Sequence, residues 1–258
     1  MLPPVPSRQP PLFARRALIE YPNLRGTADA LGEVEADDNF RYHIKGDANS
    51  ISTRASEWLC THIAEEVGIA APTPMVIERL DGSLVFGSRR IAGVADDLIT
   101  RAYLSQPSNS NLGAPPVGLR PLLSAIYAFD MFVNNDDRHA GNYLSIDDAG
   151  TRRLYTFDFS RAMFWNWPWV GFPPFPCNTI VTGRALRSLH GFDPAAASAT
   201  LGRLEGLPVG IVEGFVNRMP SSWLPDERRT ELLTFWGGAA LPSRVNAIRQ
   251  GISDGSIL

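Results

Sequence analysis

Alternating apolar and polar residues dominate the N-terminal third of the chain and predict short β-strands. Residues 17–21, 30–35 and 40–45 alternate in this way and are separated by turn-forming residues, which predicts a small antiparallel meander. Two further strand-like runs, 75–80 and 83–88, flank an Asp-Gly pair that is typical of a tight hairpin.

A helix is predicted between these two groups of strands. Apolar residues recur there at helical spacing, namely Ala55, Trp58, Leu59, Ile63 and Val67. Ser52 or Thr53 is expected to cap the helix, and Gly68 is expected to end it. Strands, one helix and strands again predict a compact α+β unit.

Beyond residue 93 the pattern becomes mainly helical. Residues 105–118 are rich in Ser, Asn, Pro and Gly and predict a loop, whereas 121–133 are apolar on nearly all sides and predict a buried helix. Further helices are predicted at 208–219, 225–237 and 242–251. The change of pattern places a boundary near residues 88–95, which gives an N-terminal unit of residues 1–92 and a C-terminal unit of residues 93–258.

Composition narrows the class of protein. The 258 residues are 44% hydrophobic and carry a net charge of −3, so a nucleic-acid partner, which usually requires a basic excess, is not expected. No apolar run reaches the roughly 18 residues of a membrane span, and prolines interrupt residues 1–12, where a signal peptide would need an apolar core. Two cysteines cannot build a disulfide framework, and the expected location is the cytoplasm.

The most informative motif lies just after the buried helix and consists of two carboxylates and an amide. Asp137 is followed five residues later by Asn142, and Asp158 comes after a predicted hairpin that returns the chain to the same place. Phosphoryl transfer needs an Asp that orients the acceptor hydroxyl and oxygen ligands that hold Mg²⁺ on ATP. The spacing therefore predicts Asp137 as the catalytic residue, with Asn142 and Asp158 as the metal ligands.

Residues 158–160 read Asp-Phe-Ser, where kinases carry Asp-Phe-Gly. Serine in place of glycine leaves the carboxylate intact but can restrict the backbone there.

Lys45 is the only lysine in the sequence and ends the third predicted strand. Kinases place a strand lysine on the α- and β-phosphates of ATP and hold it with a glutamate from the following helix. These positions predict Lys45 as a catalytic and ATP-binding residue and Glu57 as its partner. Gly26 and Thr27, in the turn after the first strand, are candidates for backbone contacts to the phosphates; a simple hairpin turn is the alternative.

The motif Asn-Asn-Asp-Asp-Arg-His-Ala-Gly-Asn at 134–142, together with Phe-Asp-Phe-Ser at 157–160, resembles the catalytic and metal motifs of HipA-like kinases. These are bacterial Ser/Thr kinases related to phosphoinositide and protein kinases, and several are toxins of toxin–antitoxin pairs. The resemblance implies a bilobal protein-kinase-like fold with a small β-rich N-lobe and a larger, mainly helical C-lobe. It also implies ATP and Mg²⁺ as cofactors, and a hydroxyl acceptor that is expected to be a protein.

Two more residues enter through this resemblance. Arg138 and His139 are expected either to contact ATP phosphate or to orient the loop around Asp137. The chain is shorter than full-length members, and no room for their additional N-terminal subdomain is expected. The resemblance therefore extends to the kinase core rather than to the toxin–antitoxin role.

Two other functions remain open at the level of sequence. A small-molecule or lipid head-group kinase also uses Asp-x-x-x-x-Asn, but usually carries His-Gly-Asp, where this chain has Asn135-Asp136-Asp137. A nucleotide-binding pseudokinase would fit the glycine-poor turn and Ser160. The aromatic tract, residues 163–176, is a candidate acceptor surface or, alternatively, part of the core.

Overall fold

The computed structural model describes residues 14–23, 29–47, 52–107, 116, 118–148 and 151–258. Gly26 and Thr27, the predicted phosphate contacts, lie outside the described residues. No helix in the described part of the chain is both long and apolar enough to cross a membrane.

Five strands of the N-terminal part form a closed barrel in the order β1-β2-β3-β5-β4. Their bounds are β1 (Arg15–Pro22), β2 (Ala30–Ala36), β3 (Arg41–Lys45), β4 (Pro74–Glu78) and β5 (Leu84–Arg89). The predicted meander is confirmed, since β1, β2 and β3 pair antiparallel in succession, and a short parallel pairing of β1 with β4 closes the barrel. Its interior is filled by inward-facing side chains such as Val34, Tyr42, Ile44 and Ile77.

Helix α1 (Thr53–Glu66) is the predicted helix, and it packs against β4 and β5. Ser52 lies at the predicted N-cap position, but its side chain makes no capping hydrogen bond, and Asp47 instead accepts from the backbone N–H of Arg54 at 2.8 Å. Gly68 ends the helix as predicted, with a left-handed φ of 85° that favours glycine.

The remaining described residues form seven helices and one hairpin. They are α2 (Asp97–Ser105), α3 (Leu119–Phe132), β6 (Tyr143–Asp148), β7 (Thr151–Thr156), α4 (Asn178–His190), α5 (Pro194–Glu205), α6 (Val209–Arg218), α7 (Asp226–Gly237) and α8 (Ala240–Asp254). The predicted burial of α3 is confirmed, because Phe129, Met131 and Phe132 are completely enclosed. The chain is thus a mixed α/β fold with a small β-rich part and a larger helical part, as predicted.

The aromatic tract divides between core and surface. Trp167 and Trp169 pack edge-on against each other and against Phe235 of α7, with ring centroids 5.0 to 5.8 Å apart. Trp165 remains 36% exposed. Val170 and Phe175 are more exposed still, at 92% and 66%, so core packing accounts for Trp167 and Trp169 while the second half of the tract largely faces solvent.

Candidate active site

Three of the predicted site residues meet at Lys45, although they come from three different elements. The Lys45 ammonium, at the end of β3, lies 2.5 Å from Glu57 Oε1 of α1 and 2.7 Å from Asp158 Oδ1, which follows β7. The pairing of Lys45 with Glu57 was predicted from sequence, and its contact with Asp158 joins the barrel to the helical part. We refer to Lys45, Glu57 and Asp158 as the Lys45 cluster.

The charged groups of this cluster shift one another's pKa values. Burial alone would lower the pKa of Lys45, but the carboxylates of Glu57 and Asp158 outweigh it and hold the pKa above its ordinary value. Burial would likewise raise the pKa of Asp158, but Lys45 and hydrogen bonds from Ser160 hold that pKa well below its usual range. Burial raises the pKa of Glu57 in spite of Lys45, so the carboxylate of this cluster that best suits the approach of a divalent cation is that of Asp158.

The backbone of Asp158 adopts a conformation that residues other than glycine seldom adopt. Its φ is 63°, in the left-handed region, and Ser160 Oγ donates to Asp158 Oδ1 at 2.7 Å. Ser160, which replaces the glycine of the kinase motif, therefore orients the carboxylate and does not disturb it.

Arg138 anchors the loop of residues 133–142, which we call the Asp137 loop. The residue is 2% exposed, and its guanidinium donates hydrogen bonds to both carboxylate oxygens of Asp130, on α3, at 2.9 and 3.0 Å. It also donates to the backbone carbonyls of Phe157 and Asn142. The structure therefore favours the orienting role over the predicted ATP contact, because the guanidinium is already occupied by these partners.

Asp137 is held by two asparagines. Its backbone N–H donates to Asn135 Oδ1 at 3.2 Å, and Asn178 Nδ2, at the start of α4, donates to Asp137 Oδ1 at 2.5 Å. No direct contact joins Asp137 to the Lys45 cluster within the described residues. The second carboxylate oxygen of Asp137 is left available for an acceptor hydroxyl.

Asn142 has the properties expected of a metal ligand. The residue is 2% exposed, and its side-chain oxygen Oδ1 is buried without a hydrogen-bond partner in the described structure. The hairpin returns to it as predicted, since Phe157 N–H donates to the carbonyl of Asn142 at 3.2 Å, one residue before Asp158. A buried amide oxygen with no donor is costly unless a ligand satisfies it, so Asn142 and Asp158 fit Mg²⁺.

The described residues contain no cluster of three or more His, Cys, Asp or Glu side chains that could hold a metal by themselves.

His139 acts within its own loop. Its ring Nδ1 accepts from the backbone N–H of Gly141 at 3.1 Å and caps the short turn Ala140–Asn142. Asn142 is the last residue of that turn. The geometry therefore supports the orienting role that was one of the two predicted for His139.

Sequence reasoning missed Asn178 and Asp130. Asp130 carried a signal that could have been read, because an Asp in an otherwise apolar helix costs free energy unless a cation pairs with it. Asn178 carried none, since it lies 41 residues beyond Asp137 in an unremarkable segment.

The family model described as HipA-like kinase matches residues 33–167, which is just over half of the chain. The chain belongs to the HipA-like kinase family. The matched segment begins in β2 and includes every member of the Lys45 cluster, the Asp137 loop and Asn142. The predicted family and the prediction that the chain is a kinase are thereby confirmed.

Two solved structures of kinases resemble this HipA-like chain. The Helicobacter pylori proinflammatory kinase CtkA is 13% identical, with 91% of this chain and 97% of that chain covered at a TM-score of 0.57. HipA of Shewanella oneidensis, in a toxin–antitoxin complex with HipB and operator DNA, is 10% identical, with 89% and 67% covered at a TM-score of 0.52. At these identities the likeness shows the fold alone. Among curated proteins, no sequence match was found.

Proposed function

We propose that this HipA-like kinase transfers the γ-phosphate of ATP to a Ser or Thr hydroxyl of a protein and that it requires Mg²⁺. The observation that carries the proposal is the 2.7 Å contact of Lys45 Nζ with Asp158 Oδ1, between residues 113 positions apart in the chain. It unites the phosphate-binding lysine and the metal-binding aspartate in one place. Asn142 Oδ1, directly before β6, is buried and has no hydrogen-bond partner among the described residues, which supports a bound metal.

The proposed roles follow from the geometry. Lys45, held by Glu57, binds the α- and β-phosphates. Asn142 and Asp158 hold Mg²⁺, with Asp158 giving up part of its contact with Lys45 to the cation. Asp137 orients the acceptor hydroxyl with the oxygen that Asn178 does not occupy, while Arg138 and His139 keep the loop in place. Gly26 and Thr27 remain proposed phosphate contacts.

The proposed arrangement is bilobal, with ATP bound between a β-rich N-lobe of residues 1–92 and a helical C-lobe of residues 93–258. The supporting observation is that Lys45 comes from the barrel whereas Asp137, Asn142 and Asp158 all follow α3. A protein acceptor is favoured over a small molecule by membership in the HipA-like family, whose motif this chain carries in place of His-Gly-Asp.

The test is phosphate transfer from ATP labelled on its γ-phosphate, with Mg²⁺, in the presence of a cell lysate. Label on the kinase itself or on lysate proteins is expected, and phosphoamino-acid analysis should give Ser or Thr. Asp137→Ala should lower the rate roughly 10²- to 10⁴-fold with MgATP binding retained. Asp158→Ala should weaken MgATP binding as well.

Asp148→Ala is the matched control, since this exposed aspartate lies at the far end of the same hairpin and should leave transfer unchanged. Label that appears only on small molecules would refute the protein acceptor. Nucleotide binding without transfer, unchanged in Asp137→Ala, would refute the enzyme.

A further inference from the structure

Arg161 is a positively charged residue near the candidate active site to which no function was assigned above. It lies three residues after Asp158, and its backbone carbonyl accepts from the N–H of Asp136 at 3.3 Å, beside the Asp137 loop. Its guanidinium stacks on the ring of Trp165, with 3.7 Å between the guanidinium carbon and the ring centroid. Asn166, next to that ring, donates to Asp136 Oδ2 at 3.1 Å, which fixes the stack against the loop.

The charge of Arg161 also bears on two neighbouring carboxylates, Asp29 and Asp136. Burial raises the pKa of Asp29, at the edge of the barrel, and Arg161 opposes that rise more strongly than Lys45 does. Burial also raises the pKa of Asp136, which Arg161 again opposes. The backbone contact with Asp136 and the stack on Trp165 place this cation beside the Asp137 loop, three residues after Asp158.

The guanidinium is also free to bind. Within the described part of the chain its one direct side-chain contact is the stack on Trp165; it makes no hydrogen bond and no ion pair there. Lys45, by contrast, is already held by Glu57 and Asp158. Stacking fixes the plane of a guanidinium and leaves its edge, with its fork of N–H donors, directed away from the ring.

We propose that Arg161, stacked on Trp165, binds the terminal phosphate of ATP and stabilises it during transfer. The inference rests on the proposed function and adds to it a phosphate-binding residue beyond Lys45. During transfer the phosphoryl group carries its negative charge on three equatorial oxygens, and an arginine can donate to two of them at once. The stack on Trp165 holds the guanidinium in place until the nucleotide arrives.

The test compares the binding of MgATP and MgADP by calorimetry in the wild type and in Arg161→Ala. ADP lacks the phosphate that Arg161 contacts, so only MgATP affinity should fall, roughly 10- to 100-fold for the loss of charged hydrogen bonds. MgADP affinity should stay within about twofold. Arg161→Lys should recover part of the loss, and Trp165→Leu should weaken MgATP binding by a smaller, few-fold factor.

Arg218→Ala is the matched control, because Arg218 also stacks on an aromatic ring but lies on α6, which packs against α1 and α7. It should bind both nucleotides as the wild type does. Slow hydrolysis of MgATP, with water as acceptor, should fall together with MgATP affinity in Arg161→Ala and not in this control.

Three results would overturn the assignment. Equal losses of affinity for MgATP and MgADP would show a structural role. Unchanged affinities for both nucleotides would show that Arg161 makes no phosphate contact. A change confined to the KM of an acceptor would place Arg161 on the acceptor instead. A wild type that binds MgATP more tightly than MgADP but transfers nothing would refute the proposed function alone, while the nucleotide comparison would still decide the role of Arg161.

Discussion

A single oxygen of Asp137 is fixed by Asn178, which comes from the start of α4. The amide donates at 2.5 Å to Oδ1, and the helix that carries it is tied to the same loop by Thr179, whose hydroxyl donates to the carbonyl of Asn135 at 2.7 Å. The carboxylate is therefore aligned before any acceptor binds. Alignment of this kind lowers the entropic cost of reaching the reactive geometry.

We predict that Asn178→Ala lowers kcat about tenfold and leaves the KM for ATP unchanged, because the carboxylate of Asp137 loses its alignment but ATP loses no contact. Asn178→Asp should also lower kcat, since a carboxylate cannot donate the hydrogen bond that the amide gives to Asp137. Steady-state kinetics would measure kcat and KM for both variants.

Asn246→Ala, which alters an exposed asparagine on α8, is the control and should keep the wild-type kcat and KM. A rise in the KM for ATP with kcat unchanged would contradict the positioning role of Asn178.

At the scale of single residues, the sequence predicts those roles that belong to local motifs. Asp137, Asn142 and Asp158 are linked by a fixed gap and one hairpin, so their spacing is readable. Lys45 was predicted from its place at the end of a strand. Asn178 and Arg161 could not be predicted, because their relation to Asp137 and Asp136 exists only after α4 and the aromatic tract have folded onto the loop.

The C-terminal end of α3, which leads into the Asp137 loop, is held by Arg244 of α8. The Arg244 guanidinium donates to the carbonyls of Met131 and Phe132, both at 2.7 Å, and to the carbonyl of Gly171 at 3.0 Å. Burial lowers its pKa to about 10, which still leaves it charged at neutral pH. A cation at this end of a helix also interacts favourably with the helix dipole.

We predict that Arg244→Ala lowers the free energy of unfolding by about 2 to 4 kcal/mol, because two buried carbonyls and one partly buried carbonyl lose their donor. Arg244→Lys should also be destabilised, since an ammonium lacks the planar fork that reaches all three. Denaturant titration would measure the change. Arg249→Ala, on the same helix, removes a half-exposed ion pair with Glu205 and an exposed hydrogen bond to Asn246, and it should cost less than about 1 kcal/mol. Equal stability of the Arg244 and Arg249 variants would contradict the prediction.

Whole elements were predicted where periodicity is strong, and their ends were predicted less well. The apolar face of α1 was readable, but its start depends on Asp47, five residues before Ser52, whose carboxylate reaches the N–H of Arg54. Helix α2 has few buried residues, Thr100 and Leu104 among the described ones, so no apolar face marked it. Helix ends and small helices depend on contacts that a hydrophobic pattern does not contain.

Helix α1 connects the barrel to the helical part of the molecule. It packs against β4 and β5, carries Glu57, and contacts α6. His62 lies at that contact, 9% exposed, stacked on Phe215 at 4.8 Å and edge-on to Trp58 at 4.5 Å. Its ring Nε2 is buried without a partner within the described residues. Burial lowers the pKa of His62 to about 3, with Arg218 adding to the effect.

This histidine should make the stability of the whole fold sensitive to acid. The unfolded chain binds a proton at His62 below pH 6.5, whereas the folded chain resists protonation down to about pH 3, so stability falls as the pH drops through that window. Between pH 7 and pH 5 the loss should approach about 2 kcal/mol, at 1.36 kcal/mol per pH unit. His62→Phe and His62→Gln should both lack this part of the loss.

The two variants separate titration from packing. Phenylalanine keeps the aromatic contacts with Phe215 and Trp58 and glutamine does not, so their absolute stabilities should differ while their pH dependence agrees. Denaturant titrations of wild type and both variants at pH 7 and pH 5 would give the comparison. If the wild type loses no more stability than either variant between these pH values, His62 accepts its proton in the folded chain as readily as in the unfolded chain. That result would contradict its burial at the contact of α1 with α6.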